Sequence, residues 1–385
     1  MKVLHTADWH IGKKLYEYDL YAEQVAAFEQ IRQIARQKKV DAVVIAGDLY
    51  DRSVPSEEAV SVLKQMLVKL NIEDKLPLLA ISGNHDSARR LGVGDEWFEH
   101  NQYFLKTELG IDAKGRRTLE PVELGDCQFF LVPYFNPKAS RTYFEDDNIS
   151  TMAQAMAKVV AECEGYFKPG LAHILVGHCF VAGSSHEDSE VSSTVGGLDE
   201  VPVSLFKNFD YVALGHLHNH QALLVDNARY AGSPVKFSLS ELTNQKGVYI
   251  YDTETNDREF VPLKDPTPMV SLTGSLDELC QPAKYNEVAD QAFVFVNLTD
   301  RQVIANLVEK LRACYPRLVH IERQNGLEGI VQTPSVELLK EANSPLKMTA
   351  AFFEQTQGLT LSANQKDYLA QLLAEIEEEQ STTPH

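Results

Sequence analysis

The 385-residue chain contains no CxxC pair, and its five cysteines, Cys127, Cys163, Cys179, Cys280 and Cys314, are odd in number and widely spaced. Neither a disulfide framework nor a thiolate zinc site is indicated. No stretch approaches the roughly 20 uninterrupted apolar residues that cross a bilayer as a helix. The N-terminus runs straight into Lys2-Val3-Leu4-His5-Thr6-Ala7-Asp8, without the apolar core and cleavage site of a signal peptide, so the expected location is the reducing cytoplasm. Positive charge is scarce: 36 Lys and Arg stand against 55 Asp and Glu, a net charge of -19. That balance disfavours coating of nucleic acid by a basic surface. It leaves room for a phosphate-processing enzyme, because bound cations reverse the field locally.

What is present is ordinary globular composition, with 44% hydrophobic and 24% charged residues, in a length that suits two or three domains. The first ~260 residues alternate strand-like and helix-like stretches. Val3–Ala7, Val40–Ala46 and Leu78–Ser82 read as strands. Between them, Tyr21, Val25, Phe28, Ile31 and Ala35, and then Val60, Leu63, Leu67 and Leu70, mark helix faces. This β-α-β-α-β order implies parallel strands with right-handed crossovers. Further strands are expected at Phe129–Pro133, His173–Gly177, Tyr211–Leu214 and Val248–Tyr251, a helix near 151–166, and a hairpin joining Ala222–Asp226 to Arg229–Ala231. The run Pro262-Leu263-Lys264-Asp265-Pro266-Thr267-Pro268 reads as a stiff connection. Beyond it, Ala292–Leu298, Asp300–Ala313 and Leu318–Ile321 form a β-α-β unit, and a proline break at Pro334 precedes a helical tail. Ser362-x-x-Gln365 is a capping box for the last helix.

Five short motifs follow strands: Asp8-x-His10, Gly47-Asp48, Gly83-Asn84-His85-Asp86, Gly177-His178 and Gly215-His216-Leu217-His218. Each has a bland reading as a strand-end cap, a turn or a rim histidine. Together they do not, because carboxylates and imidazoles at the carboxyl ends of parallel strands collect where open α/β sheets bind ligands. Two aspartates, one amide oxygen and four imidazoles, with one histidine to spare, form a mixed O/N set suited to manganese, iron or zinc. Seven ligands are too many for one tetrahedral site and suit two ions that share a carboxylate.

The order D-x-H, G-D, G-N-H-D, G-H, G-H-x-H resembles the calcineurin-like metallophosphoesterase superfamily over residues 1 to about 260. The resemblance implies a two-sheet sandwich flanked by helices. Carried over by position, it places one metal on Asp8, His10, Asp48 and His218, and another on Asp48, Asn84, His178 and His216, with Asp48 bridging. His85 would face the scissile phosphate as the catalytic residue. Two such ions lower the pKa of a shared water and clamp phosphoryl oxygens, and an imidazole can protonate the leaving oxygen. Asp86 is either an orienting partner for His85 or a turn cap.

Further features, Gly12, Asp48-Leu49-Tyr50-Asp51, Tyr230-Ala231-Gly232-Ser233-Pro234 with Glu241, and the small β-α-β unit, are similar to the bacterial SbcD-type double-strand-break repair nucleases. That family implies a two-metal DNA nuclease, a 3′–5′ double-strand exonuclease and single-strand or hairpin endonuclease. It implies two Mn²⁺ per chain, a homodimer, and an SbcC-type coiled-coil ABC ATPase as partner in repair, recombination and replication. The domains would be a nuclease domain over residues 1–262, a DNA-contacting α/β cap over 268–332 and an ATPase-binding tail over 335–380. Asp51 stands where archaeal and eukaryotic relatives carry a second histidine, so it receives no catalytic role.

Lys13, Lys14, Arg52, Arg89 and Arg90 lie beside the motifs and are candidates for DNA phosphates, or are solvated loop charge. Residues Val195–Val201 line a substrate channel or form a turn. His5, His173, His186 and His220 read as structural. The tail stripe Leu346, Phe352, Phe353, Leu359, Leu369, Leu372, Leu373 and Ile376 docks on the chain's own domains or in a groove of the partner. Two rival functions remain: a phosphatase or small-nucleotide phosphodiesterase of the same superfamily, and a non-catalytic scaffold for DNA ends or the ATPase.

Overall fold

The apolar run Val40–Ala46 yields the strand Ala42–Ala46, in which every residue is buried. A strand apolar on both faces must be covered on both. In this computed structural model Ala42, Val44 and Ala46 pack in one core, and Val43 and Ile45 in another. The structure describes residues 1–112, 115–185, 190, 200–288, 290–324, 345–357 and 360–382. It divides into two units, Met1–Met269 and Val270–His385.

The first unit contains β1 (Lys2–Thr6), α1 (Tyr21–Lys38), β2 (Ala42–Ala46), α2 (Glu57–Val68), β3 (Leu78–Ile81) and β4 (Tyr103–Lys106). It continues with β5 (Val122–Leu124), β6 (Cys127–Val132), α3 (Met152–Gly165), β7 (Ala172–His178), β8 (Tyr211–Gly215), β9 (Ala228–Tyr230), β10 (Gly247–Asp252) and β11 (Asp257–Pro262). One six-stranded sheet has the order β11-β10-β1-β2-β3-β4, and a five-stranded sheet has β9-β8-β7-β6-β5. Strands β1 to β4 are parallel, as the alternation requires, while β10 joins β1 antiparallel. The fold is a two-sheet sandwich flanked by helices.

Among the described residues, three cores hold it. Between the sheets lie Val3, Val44, Leu79 and Ile81 against Phe129, Leu131, Ile174, Val176 and Tyr211. Outside the first sheet, Val43, Ile45 and Leu78 meet Phe28, Ile31, Leu63 and Met66 of α1 and α2. Outside the second, Phe130, Leu175 and Val212 meet Met156, Val159 and Cys163 of α3. Each such buried side chain contributes about 1.5–3 kcal/mol through burial, before entropy is subtracted. Helix α3 starts at a complete capping box, Thr151 with Gln154.

The helix faces differ in detail from the sequence expectation. In α1 the buried face runs through Gln24, Ala27, Phe28, Ile31, Ile34 and Ala35, leaving Val25 exposed. In α2 it is Ala59, Leu63 and Met66, with Val60 exposed. The expected hairpin arm Ala222–Asp226 is not a strand; Val225 makes one isolated bridge to Ala228, and β9 pairs in parallel with β8. Pro262 ends β11, and the following run lies on the first unit: Leu263 is buried, and Thr267 bonds Glu23. Strands β4, β5 and β11 were not legible, since their short or mixed patterns carry little periodicity.

The second unit begins inside β12 (Met269–Gly274) and holds β13 (Phe293–Leu298), α4 (Leu307–Cys314) and β14 (Leu318–Arg323), with β13 central and parallel to β14. Its helix begins later than the expected Asp300. Leu276, Val294, Val296, Leu298, Leu311, Tyr315 and Leu318 form its core. Two further helices, α5 (Pro345–Gln357) and α6 (Ala363–Thr382), contact each other. The Ser362–Gln365 cap of α6 forms, and Tyr368 and Leu372 of the stripe are exposed while Leu369 and Leu373 are half-buried. Pro334, Leu359 and His186 lie outside the described residues, as do residues 195–199 of the channel stretch.

Candidate metal centre

Register brings the motifs to one edge. Thr6 pairs with Ile45, Ala46 with Ile81, and Gly215 with His178, so the loops after β1, β2, β3, β7 and β8 meet. They lock together through the backbone: Asp8 N–H donates to the Gly47 carbonyl at 3.1 Å and His10 N–H to the Asp48 carbonyl at 2.9 Å. Four of the candidate ligands carry positive φ: Asp8 at 53°, His10 at 43°, Asp48 at 50° and His216 at 104°. Such backbone costs about 1–3 kcal/mol per residue and gathers where geometry serves function. The glycine before Asn84 has a separate cause. A Cβ on Gly83 would collide with the Asp48 carboxylate.

Asp48 is the hub. Its Oδ2 lies 3.3 Å from His178 Nε2 and 3.4 Å from His10 Nε2, while Oδ1 accepts the His85 amide at 2.9 Å. On one side, His178 Nε2 and His216 Nδ1 lie 2.9 and 3.0 Å from Asn84 Oδ1. On the other, His218 Nε2 lies 3.2 Å from His10 Nε2, and Asp8, His10 and His218 form one group of potential ligands. Asp8 also groups with Asp48 and His178, and its carboxylate accepts the His216 amide at 2.9 Å. All seven sequence-predicted ligands therefore converge.

The donor chemistry fits cations. His178 Nδ1 faces the Ala46 carbonyl at 2.9 Å. A carbonyl can only accept, so Nδ1 carries hydrogen and the Nε2 lone pair points at Asn84 Oδ1 and Asp48 Oδ2. Three acceptors then share one point, as do the two Nε2 atoms of His10 and His218. Only a proton or a metal ion satisfies such a point. Burial pulls His178 down, but the Asp48 carboxylate outweighs it and raises the imidazole to about 9. Burial, reinforced by His178, lowers His216 to about 3; burial also lowers His10 and His218. Neutral imidazoles are the ligating form. Burial works to raise Asp48, but His178 and His10 reverse it and hold the carboxyl well below the usual range, whereas burial raises Asp8.

His85 is brought in without becoming one of the seven. Its Nδ1 donates to the Asp51 carbonyl at 2.8 Å, leaving Nε2 as the other ring atom, and its ring meets His10 edge-on at 4.7 Å. Asp86 is the turn cap of the two readings: it accepts the amides of Gly83, Leu49 and Tyr50 at 2.9, 3.1 and 2.9 Å. Of the cations, Lys13 pairs with Asp51 at 3.0 Å and Arg52 faces it at 3.5 Å. Lys14 pairs with Asp19, Arg89 is exposed, and Arg90 lines an apolar groove of about 450 Å³ beside Leu63, Leu67 and Tyr103. His5 is buried against Tyr211, His173 stacks on Phe167 and His220 on Phe260, as structural histidines do. Sequence reasoning missed Phe237, whose ring meets both His10 and His218 edge-on at 5.4 and 5.3 Å. It lies in an apolar position with no motif of its own.

Residues 1–220 match the family model described as calcineurin-like phosphoesterase, and 265–357 match one described as type 5 capsule protein repressor C-terminal domain, SbcD_C. The SbcD component of the nuclease SbcCD from Staphylococcus epidermidis is 34% identical over 98% of this chain and 99% of its own length. The chain belongs to the SbcD nuclease family of calcineurin-like phosphoesterases. Its reaction class is therefore metal-dependent phosphodiester hydrolysis, as the nuclease component of an SbcCD complex, and its cofactors are divalent metal ions. Among solved structures, a novel archaeal phosphodiesterase is similar at 14% identity and a TM-score of 0.32, over 68% of this chain and 100% of that one. Yfce, a phosphoesterase from E. coli, is similar at 15% identity and a TM-score of 0.28, over 69% and 100%. No helix among the described residues is long and apolar enough to cross a membrane.

Proposed function

We propose that the seven strand-end residues hold two divalent ions, Mn²⁺ in the cell, and that the chain cleaves DNA at ends together with an SbcC-type ATPase. Asp8, His10, Asp48 and His218 form one position, and Asp48, Asn84, His178 and His216 the other. The observation that carries this reading is the place of Asp48 Oδ2 between His178 Nε2 and His10 Nε2, 3.3 and 3.4 Å away. When bound, the ions supply an activated water and neutralise phosphoryl charge. The chain's residues do the rest. Asp48 fixes both ligand groups around one carboxylate. His85, held at Nδ1 by the Asp51 carbonyl, presents Nε2 as the proton carrier for the leaving oxygen. Lys13 lies beside this rim and Arg52 is exposed there, suited to flanking phosphates.

The division of labour follows the family: residues 1–262 carry the chemistry, 268–332 cap the DNA, and the tail, 335–380, docks on the ATPase, in an assembly built on a homodimer. A small-substrate phosphatase needs neither of the last two segments. A scaffold without catalysis needs no seven-ligand cluster. The test is purified protein with Mn²⁺, assayed in parallel on end-labelled duplex DNA and on p-nitrophenyl phosphate. Shortening of the duplex supports the reading; turnover of the small ester with intact DNA overturns it.

A further inference from the structure

The segment from Ser233 to Lys246 contains no metal ligand, yet it wraps His218. A Cβ on Gly232, just before it, would meet the His218 carbonyl at 2.7 Å, so chain and loop run in direct contact. Ser233 N–H donates to that carbonyl at 3.1 Å. Lys246 Nζ donates to the same carbonyl at 2.9 Å, to Ser233 Oγ at 2.8 Å and to Glu241 Oε2 at 2.5 Å. Those three bonds use all three ammonium hydrogens. The remaining Glu241 oxygen, Oε1, faces His218 Nδ1 at 3.6 Å. Phe237 supports the ring edge-on. Glu241 is 0% exposed and Lys246 2%.

A sealed ion pair is a poor device for stability, since apolar residues of similar volume do as well or better. Apolar residues cannot grip a carbonyl and face a ring nitrogen at once. We propose that Glu241 and Lys246 are positioning residues for His218: Lys246 fixes its backbone, and Glu241 keeps the hydrogen on Nδ1 so that Nε2 is free to ligate. The pair therefore governs the metal position of His10 and His218, and leaves the other to the Ala46 carbonyl, which orients His178. Histidine ligands are commonly fixed by a carboxylate or carbonyl behind them, and loss of that partner weakens metal binding 10–100-fold. The inference rests on the ligand assignment proposed above.

The experiment measures Mn²⁺ bound to the full chain, by free-metal electron paramagnetic resonance, in wild type, Glu241→Gln, Lys246→Met and the double variant. His218→Ala and His216→Ala serve as references for losing either position. Metal-free melting temperature is recorded for each. Glu241→Gln is expected to keep one ion at wild-type affinity and bind the other 10–100-fold more weakly, matching His218→Ala. Each single variant strands a buried charge or polar group, so the double variant, which strands no ion, is the decisive one. It is expected to melt near wild type without metal and still lack the tight first ion. Two tight ions in the double variant, or equal weakening of both positions, overturns the inference. Wild type that binds no stoichiometric Mn²⁺ overturns the ligand assignment itself, and this inference with it.

Discussion

Loading the site with metal should expel a proton from His178. In the metal-free protein this imidazole is held up to about 9 because Asp48 Oδ2, 3.3 Å away, outweighs the cost of burial. Ligation requires its Nε2 lone pair, since Nδ1 is committed to the Ala46 carbonyl at 2.9 Å. Below about pH 9 each unit of acidification therefore costs the second metal position a factor of about 10, or about 1.4 kcal/mol. Between pH 8 and pH 6 the Mn²⁺ affinity should fall about 100-fold from this group alone. Calorimetric titration in buffers of differing ionisation enthalpy counts the protons released, and at least one per chain is expected near pH 7. The same shift has a stability consequence. A raised histidine stabilises the metal-free fold fully below its unfolded value near 6.5, and the contribution is lost as pH rises through about 9. Its size is about 3 kcal/mol, shared with Asp48 as one interaction. Metal-free melting temperature should thus decline over that window, while the Mn²⁺-loaded protein, whose His178 is already deprotonated, should not follow it. Binding without proton release and with affinity flat from pH 6 to 8 would refute the geometry assigned to His178.

His85→Gln should retain two metal ions by mass spectrometry while cleavage of duplex DNA falls about 10²–10⁴-fold, the usual contribution of a general acid; near wild-type turnover would remove His85 from the chemistry. Asp48→Ala should lose both ions and His216→Ala one, so equal stoichiometries in the two variants would exclude a bridging carboxylate. At metal 100-fold above its dissociation constant each lost ion should also remove about 2.7 kcal/mol of ligand-induced stabilisation, visible in melts with and without Mn²⁺. Truncation before Leu346 should abolish co-purification with the ATPase and spare metal-dependent cleavage of single-stranded DNA; a collapsed melting temperature would instead make the tail part of the chain's own core.

Much of this architecture is written in consecutive residues. Val40–Ala46, apolar on both faces, had to become a strand covered on both sides, and the motifs after it had to lie at strand ends, because side-chain period and strand length are local properties. The candidate ligands were equally legible, since each sits in its own short motif. Packing in three dimensions settled what depends on partners distant along the chain. Nothing local announces that Asp8, His10, Asp48 and His216 take positive φ; the interlocked loops impose it. Tyr103–Lys106 pairs as a strand because Leu78–Ile81 offers it an edge. Val25 and Val60 face outward because helix rotation is set by the sheet beneath, and apolar period alone defines a face only to within one residue. Whether Asp86 capped a turn or oriented His85 depended on three amides from two loops. The cradle of Ser233, Glu241 and Lys246 around His218 exists only once the chain has folded, because a buried charge declares its purpose through the atoms it faces.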